Sequence, residues 1–94
     1  MANYVGYGKL VGYSSYVIKE GKKDAGQRVH QYNVLIGESA NKDTGLFDKV
    51  SIITIREKEQ VLKALKPQDV MFELGSYTWD GQERLRYFNV REKA

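Results

Sequence analysis

The sequence predicts a small all-β fold of five strands, with one short helix between the third and fourth strands. The chain has 94 residues, a length typical of a single domain. Glycines and polar loops separate segments rich in Tyr, Val and Ile, as expected for strands. Good helix formers cluster only once, and the sole proline follows them.

Composition excludes several classes of protein. The chain has no Cys, so a disulfide scaffold, a thiolate zinc site and a cysteine nucleophile are excluded. No apolar run reaches the ~20 residues of a membrane span, and the start lacks the pattern of a signal peptide. We therefore expect a cytoplasmic protein. The net charge of +3 permits a nucleic-acid partner without requiring one.

The first strand is predicted over residues 7–19. Its odd positions are basic and aromatic, whereas Leu10 and Ile18 turn the even positions inward. Gly12 permits a bulge, which would exchange the two faces beyond it. Tyr16 shares its parity with Leu10 and is expected to be structural.

The next elements alternate between strands and polar loops. A loop over residues 20–26 leads into a second strand over 27–37, in which Arg28, His30 and Tyr32 share one side. A loop over 38–45 leads into a third strand over 46–55.

A helix is predicted over residues 57–66. Val61, Leu62 and Leu65 form its narrow apolar stripe, Thr54 with Glu57 fits a capping box, and Pro67 ends it.

The last two strands are predicted to form a hairpin. Alternation places Val70, Phe72 and Leu74 inward in the fourth strand, and Gly75 is a possible bulge. Asp80-Gly81 is a strong signal for a two-residue turn into a fifth strand over 83–91. In that strand the arginines at 84 and 86 share their parity with Phe88 and Val90, so one pair turns inward or a bulge separates them.

This order of elements is that of the OB-fold, a five-stranded Greek-key barrel, here as a single domain over residues 1–94. An SH3-like barrel is the alternative. The ligand face of an OB-fold lies on strands two and three, between the loops that here cover residues 20–26 and 80–82.

Two segments resemble the distal half of bacterial and phage single-stranded DNA-binding proteins: residues 65–75 (LKPQDVMFELG) and 79–84 (WDGQER), followed by Tyr87. The resemblance implies that Trp79 stacks on bases and that Arg84 takes a basic position of the family. Pro67-Gln68 replaces the family's Lys-Gly turn. The end of the chain, REKA, lacks the acidic tail of bacterial members, which favours a phage, plasmid or accessory version.

Sequence-independent binding of a single strand requires cations for phosphates and aromatic rings for bases. The candidate residues of both kinds are Tyr7, Lys9, Tyr13, Lys22, Lys23, Arg28, His30, Tyr32, Trp79, Arg84 and Arg86. We expect a non-catalytic protein of DNA replication or recombination that forms a homo-oligomer, with a dimer favoured.

Two alternatives stay open. The ligand can be RNA, since OB barrels bind both nucleic acids. The same fold can instead serve as an assembly module, in which the tyrosines or Trp79 form a subunit interface. An enzyme is not expected, because the single histidine has no nucleophile beside it and the carboxylates are scattered. No metal or cofactor is expected: the glycines at 6, 8 and 12 do not form a phosphate-binding loop.

Overall fold

The computed structural model describes residues 4–93, so Met1 to Asn3 and Ala94 of the predicted domain lie outside it. The prediction of an all-β chain with five strands is confirmed. The strands are β1 (Tyr4–Val17), β2 (Arg28–Ala40), β3 (Phe47–Glu57), β4 (Gln68–Trp79) and β5 (Gln82–Glu92). Over the described range there is no helix, and hence none with the length and apolar character to cross a membrane.

All five strands belong to one antiparallel sheet with the order β3-β2-β1-β4-β5. The sheet curls strongly, and its two end strands approach each other, which makes the architecture compatible with an OB-like barrel. Its inner face holds the core. The buried residues of that core are Leu10, Tyr32, Val34, Ile55, Leu62, Val70, Phe72 and Val90.

The bulge predicted at Gly12 is confirmed. The pairing of β1 with β2 shifts register between Leu10 and Gly12. Leu10 points into the core before the shift, and Tyr13 packs against the core after it. The extra residue therefore places Tyr7 and Lys9 on the outer face of the sheet and Tyr13 on the inner side.

The predicted helix over residues 57–66 is wrong. Glu57 is the last residue of β3, and Thr54 of the supposed capping box donates its hydroxyl to Asn33 Oδ1 at 2.9 Å. Of the apolar stripe only Leu62 is buried. A short helix with a single buried contact is marginal, because packing supplies most helical stability.

Side chains satisfy the backbone of this segment in place of a helix. The Val61 N–H donates to the Tyr32 hydroxyl at 3.1 Å. Gln60 Nε2 donates to the Leu62 carbonyl at 3.2 Å, and Gln68 Nε2 donates to the Ala64 carbonyl at 2.6 Å. These bonds hold residues 58–67 as an irregular strap that seats Leu62 in the core.

The turn predicted at Asp80-Gly81 is confirmed. Both residues have positive φ, 53° and 73°, as a type I′ turn requires, and Trp79 pairs with Gln82 across it. The bulge of the hairpin lies not at Gly75, which pairs regularly with Arg86, but at Asn89 in β5, whose φ is 54°.

Alternation alone did not show which residues of β5 face inward. The bulge at Asn89 answers this question for the two arginines. Val90 is buried beyond the bulge, whereas Arg84 and Arg86 lie on the outer face before it, together with Phe88. The bulge thus turns three polar or aromatic side chains toward solvent.

Candidate nucleic-acid interface

The β4–β5 hairpin presents an aromatic and basic surface on its outer face. Tyr77 pairs directly with Arg84 across the hairpin, and Trp79 follows two residues later on the same face. Directly opposite residues of an antiparallel pair lie within about 5.5 Å of each other, so these side chains are neighbours. The Trp79 side chain is 64% exposed, which leaves its ring available for stacking.

A groove of about 990 Å³ lies between the end of β3 and β5, next to this hairpin face. Three cationic side chains line it: Arg56, Lys58 and Arg86. Aromatic rings are interleaved with them, and the Arg86 guanidinium carbon lies 5.3 Å from the centre of the Phe88 ring. The remaining lining residues are Thr54, Glu57, Glu59, Val61, Tyr77, Leu85, Tyr87 and Asn89.

Asn89, at the bulge of β5, also forms hydrogen bonds to β3 and β4 beside the groove. Its N–H donates to the Glu57 carboxylate at 3.2 Å, and its side-chain amide donates to Glu73 at 2.5 Å. Glu57 and Glu73 thus take up hydrogen bonds within the sheet. Within the described residues, β3 and β5 are thus linked at the groove by a side-chain hydrogen bond and not by backbone pairing.

The ribbon formed by the ends of β1 and β2 carries a second cluster on its inner side. The Tyr13 hydroxyl and His30 Nδ1 are 2.6 Å apart, and their rings are stacked with centroids 5.9 Å apart. Arg28 donates to the Ser15 hydroxyl at 2.9 Å. Tyr13 also packs against Tyr32, with ring centroids 5.3 Å apart, so only part of its ring is open.

The loop between β1 and β2 keeps its predicted lysines exposed. Lys22 and Lys23 lie in a tight series of turns in which the Ala25 N–H donates to the Lys22 carbonyl at 3.2 Å. The turns also need the positive φ of Asp24, at 62°. Both lysines are exposed in this loop.

The prediction that Tyr32 belongs to the nucleic-acid site is wrong. Its side chain is 0% exposed, and its ring belongs to the core, so it has no face on which a base can stack. Burial raises the pKa of its hydroxyl above the ordinary 10.0, with the Val61 backbone hydrogen bond acting in the opposite direction. Tyr16, expected to be structural, is instead exposed on the opposite side of the ribbon.

Replacing Tyr32 with Phe is expected to lower the free energy of unfolding by about 1 kcal/mol, because the part-buried Val61 N–H loses its acceptor. The unfolded chain releases the Tyr32 proton near pH 10, whereas the folded chain retains it. Wild-type stability therefore falls more steeply than that of the variant as the pH rises above about 10. Urea unfolding of both proteins across this pH range measures the difference; parallel pH profiles would contradict the assignment.

Tyr7 and Lys9 lie in a third place, on the outer face of β1. They line a pocket of about 350 Å³ together with Leu35, Phe47 and Val50. Lys93 Nζ lies 5.4 Å from the centre of the Tyr7 ring. The structure thus distributes the predicted residues over the hairpin, the ribbon and this pocket, rather than bringing them to one surface.

Sequence reasoning missed four residues of the groove and hairpin face: Arg56, Lys58, Tyr77 and Phe88. The predicted helix over residues 57–66 obscured the first two, which lie at the end of β3 and just beyond it. The other two have a signal in the sequence. Tyr77 alternates with Trp79, and Phe88 alternates with Arg86.

The chain matches no protein-family model, and comparisons with curated proteins and with solved structures give no significant match. Within residues 4–93, no group of three or more His, Asp or Glu side chains is arranged to hold a metal ion. The groups that line the groove are aromatic rings, guanidinium and ammonium groups, and carboxylates.

Proposed function

We propose that the protein binds single-stranded nucleic acid, and DNA in the first place, without catalysing a reaction on it. The observation that carries this proposal is the groove between β3 and β5, which is continuous with the exposed rings and arginines of the hairpin. We further propose that the sheet is an OB-fold and that the protein acts in DNA replication or recombination in the cytoplasm. The strand order supports the OB-fold, and the resemblance of residues 65–75 and 79–84 supports both the fold and the role in DNA metabolism.

The surface suits a single strand better than a duplex. Only an unpaired strand offers the faces of its bases to side chains such as Trp79 and Tyr77, because a duplex stacks them inside. The arginines nearby supply planar cations that pair with phosphate oxygens. Since nothing in this arrangement discriminates base edges, the expected binding is largely independent of sequence.

The groove carries more positive than negative side chains, although the two kinds alternate along residues 56–59. Arg56, Lys58 and Arg86 face it together with Glu57 and Glu59. Glu57 accepts the Asn89 N–H, which holds its carboxylate against the sheet while it keeps its charge. The three cations are expected to neutralise phosphates and to make binding strongly dependent on salt.

Intrinsic fluorescence tests the proposal directly, because Trp79 is the only tryptophan. Titration with oligo-dT is expected to quench its emission at low salt, and raised salt is expected to weaken binding. A duplex of equal length serves as the control, and an RNA oligomer of matched sequence ranks the two nucleic acids. Unchanged emission together with no gel shift at low salt would refute the proposed function.

Replacing Arg86 with Ala is expected to reduce the slope of log K against log salt by about 1 and to weaken binding to all sequences alike. The reason is the loss of one phosphate contact in the groove. Lys42→Ala, in the exposed loop between β2 and β3, is the matched control and is expected to leave the slope unchanged. Equal slopes for wild type and Arg86→Ala would show that Arg86 makes no phosphate contact.

A further inference from the structure

The outer edge of β3 is unpaired. Within residues 4–93, β3 forms backbone pairs with β2 only, although it is the last strand on its side of the sheet. Its final residues are approached by β5, as the hydrogen bond from Asn89 to Glu57 shows. The preceding part therefore presents its outward N–H and C=O groups to solvent.

This part of β3 also exposes large apolar side chains. Phe47, Val50 and Ile52 are each more than half exposed, with Ile52 at 62%, and so is Leu46 just before the strand. Residues 50–55 (VSIITI) contain no charge, proline or glycine. An open edge of this composition lacks the features that normally prevent strands from pairing between molecules. We call residues 50–53 the apolar edge; the charged residues Asp48 and Lys49 precede it.

We propose that the apolar edge is a dimer interface, at which β3 pairs antiparallel with β3 of a second copy of this chain. The pairing would join the two sheets into one continuous sheet of twice the width. It would satisfy the exposed backbone groups of both copies, as addition of a strand at a sheet edge does.

The composition of the edge favours a second copy over another partner. Under a twofold axis the same strand supplies both sides, so it must be complementary to itself. An axis at Asp48 or Lys49 would bring like charges together. An axis at Ser51 instead places Val50 opposite Ile52 of the second copy on the outer face, and brings no like charges directly together.

Other partners fit the apolar edge less well. Residues 50–55 carry no charge with which to select an acidic or basic foreign strand. They also carry no cation for a phosphate, whereas the cations Arg56 and Arg86 line the groove beyond the edge. The groove of the proposed nucleic-acid site therefore lies beyond the apolar edge, whereas Val50 of the edge lines the pocket that holds Tyr7 and Lys9.

Light scattering after size exclusion gives the first test. The wild type is expected at twice the chain mass of 10.8 kDa, and Ile52→Lys at the single mass. Val17→Lys adds the same charge at an exposed valine of the ribbon and is expected to stay dimeric. Circular dichroism verifies that Ile52→Lys retains its strands. A monomeric wild type at tens of micromolar would overturn the proposal.

Disulfide trapping gives the second test and does not depend on a destabilised variant. Because the chain has no Cys, one introduced cysteine reports only on its own position. Ser51→Cys is expected to cross-link two copies under mild oxidation, whereas Ser14→Cys, exposed on β1, is not. Equal cross-linking of both would overturn the proposal.

Oligonucleotide binding separates the two proposals. A folded, monomeric Ile52→Lys that still quenches with oligo-dT supports the interface. If the wild type is monomeric and Ile52→Lys loses binding, the apolar edge belongs to the nucleic-acid surface and the dimer is refuted.

Discussion

Replacing Leu62 with Ala is expected to lower the free energy of unfolding by about 2–5 kcal/mol, the usual cost of emptying a buried leucine site. Leu62 is 0% exposed although it lies in an irregular strap. It is the one fully buried side chain that residues 58–67 contribute to the core. The strap crosses from β3 to β4, so the cavity would open where no strand can move in to fill it. Urea unfolding monitored by circular dichroism measures the loss.

Leu65→Ala is the matched control for this prediction. Leu65 belongs to the same strap and to the same predicted apolar stripe, but 46% of it is exposed. We expect its truncation to cost less than about 1 kcal/mol, because most of the removed surface already faces water. Similar losses for the two variants would contradict the placement of Leu62 as the anchor of the strap.

The strap shows where local sequence preference is overridden. Residues 57–66 are good helix formers, and nothing in their own sequence disfavours a helix. The tertiary partners decide otherwise, since the hydroxyl of Tyr32 and the amides of Gln60 and Gln68 satisfy backbone groups of the strap. Tyr32 is 29 positions away from the N–H that it accepts, so no window of sequence contains this information.

The strands and their turns could be predicted because their signals are local. Alternation in β4 identifies Val70 and Phe72 as core residues, and Asp80-Gly81 encodes its own turn. The bulge at Gly12 was predictable as a possibility, but its effect on the site depends on its exact register. One extra residue moves Tyr13 away from the face of Tyr7 and Lys9.

The candidate site was predictable in residue type and only partly in place. Exposed rings and cations do border a groove, but the groove uses Arg56 and Phe88, which the sequence did not single out. Tyr32 shares its strand parity with His30, yet one is buried and the other lies on the ribbon beyond the core. Alternation assigns a face of a strand, whereas the extent of the core along that face is set by the neighbouring strands.

Replacing Trp79 with Ala is expected to weaken binding of oligo-dT roughly 5- to 150-fold, which corresponds to the loss of about 1–3 kcal/mol for one stacked base. The ring is largely exposed at the tip of the hairpin, so its removal leaves no cavity in the core. Stability is therefore expected to change by less than about 0.5 kcal/mol. Because the variant lacks the fluorescent reporter, anisotropy of a labelled oligonucleotide measures its affinity.

Two further variants make the result specific to stacking. Trp79→Phe keeps an aromatic face and is expected to recover most of the affinity, whereas an aliphatic residue of similar volume is not. Tyr16→Ala removes an exposed ring from the far side of the ribbon and is expected to bind as the wild type does. If Trp79→Leu binds oligo-dT as tightly as Trp79→Phe, the hairpin contributes apolar contact and not a stacking platform. Base stacking would then be assigned to the rings that line the groove.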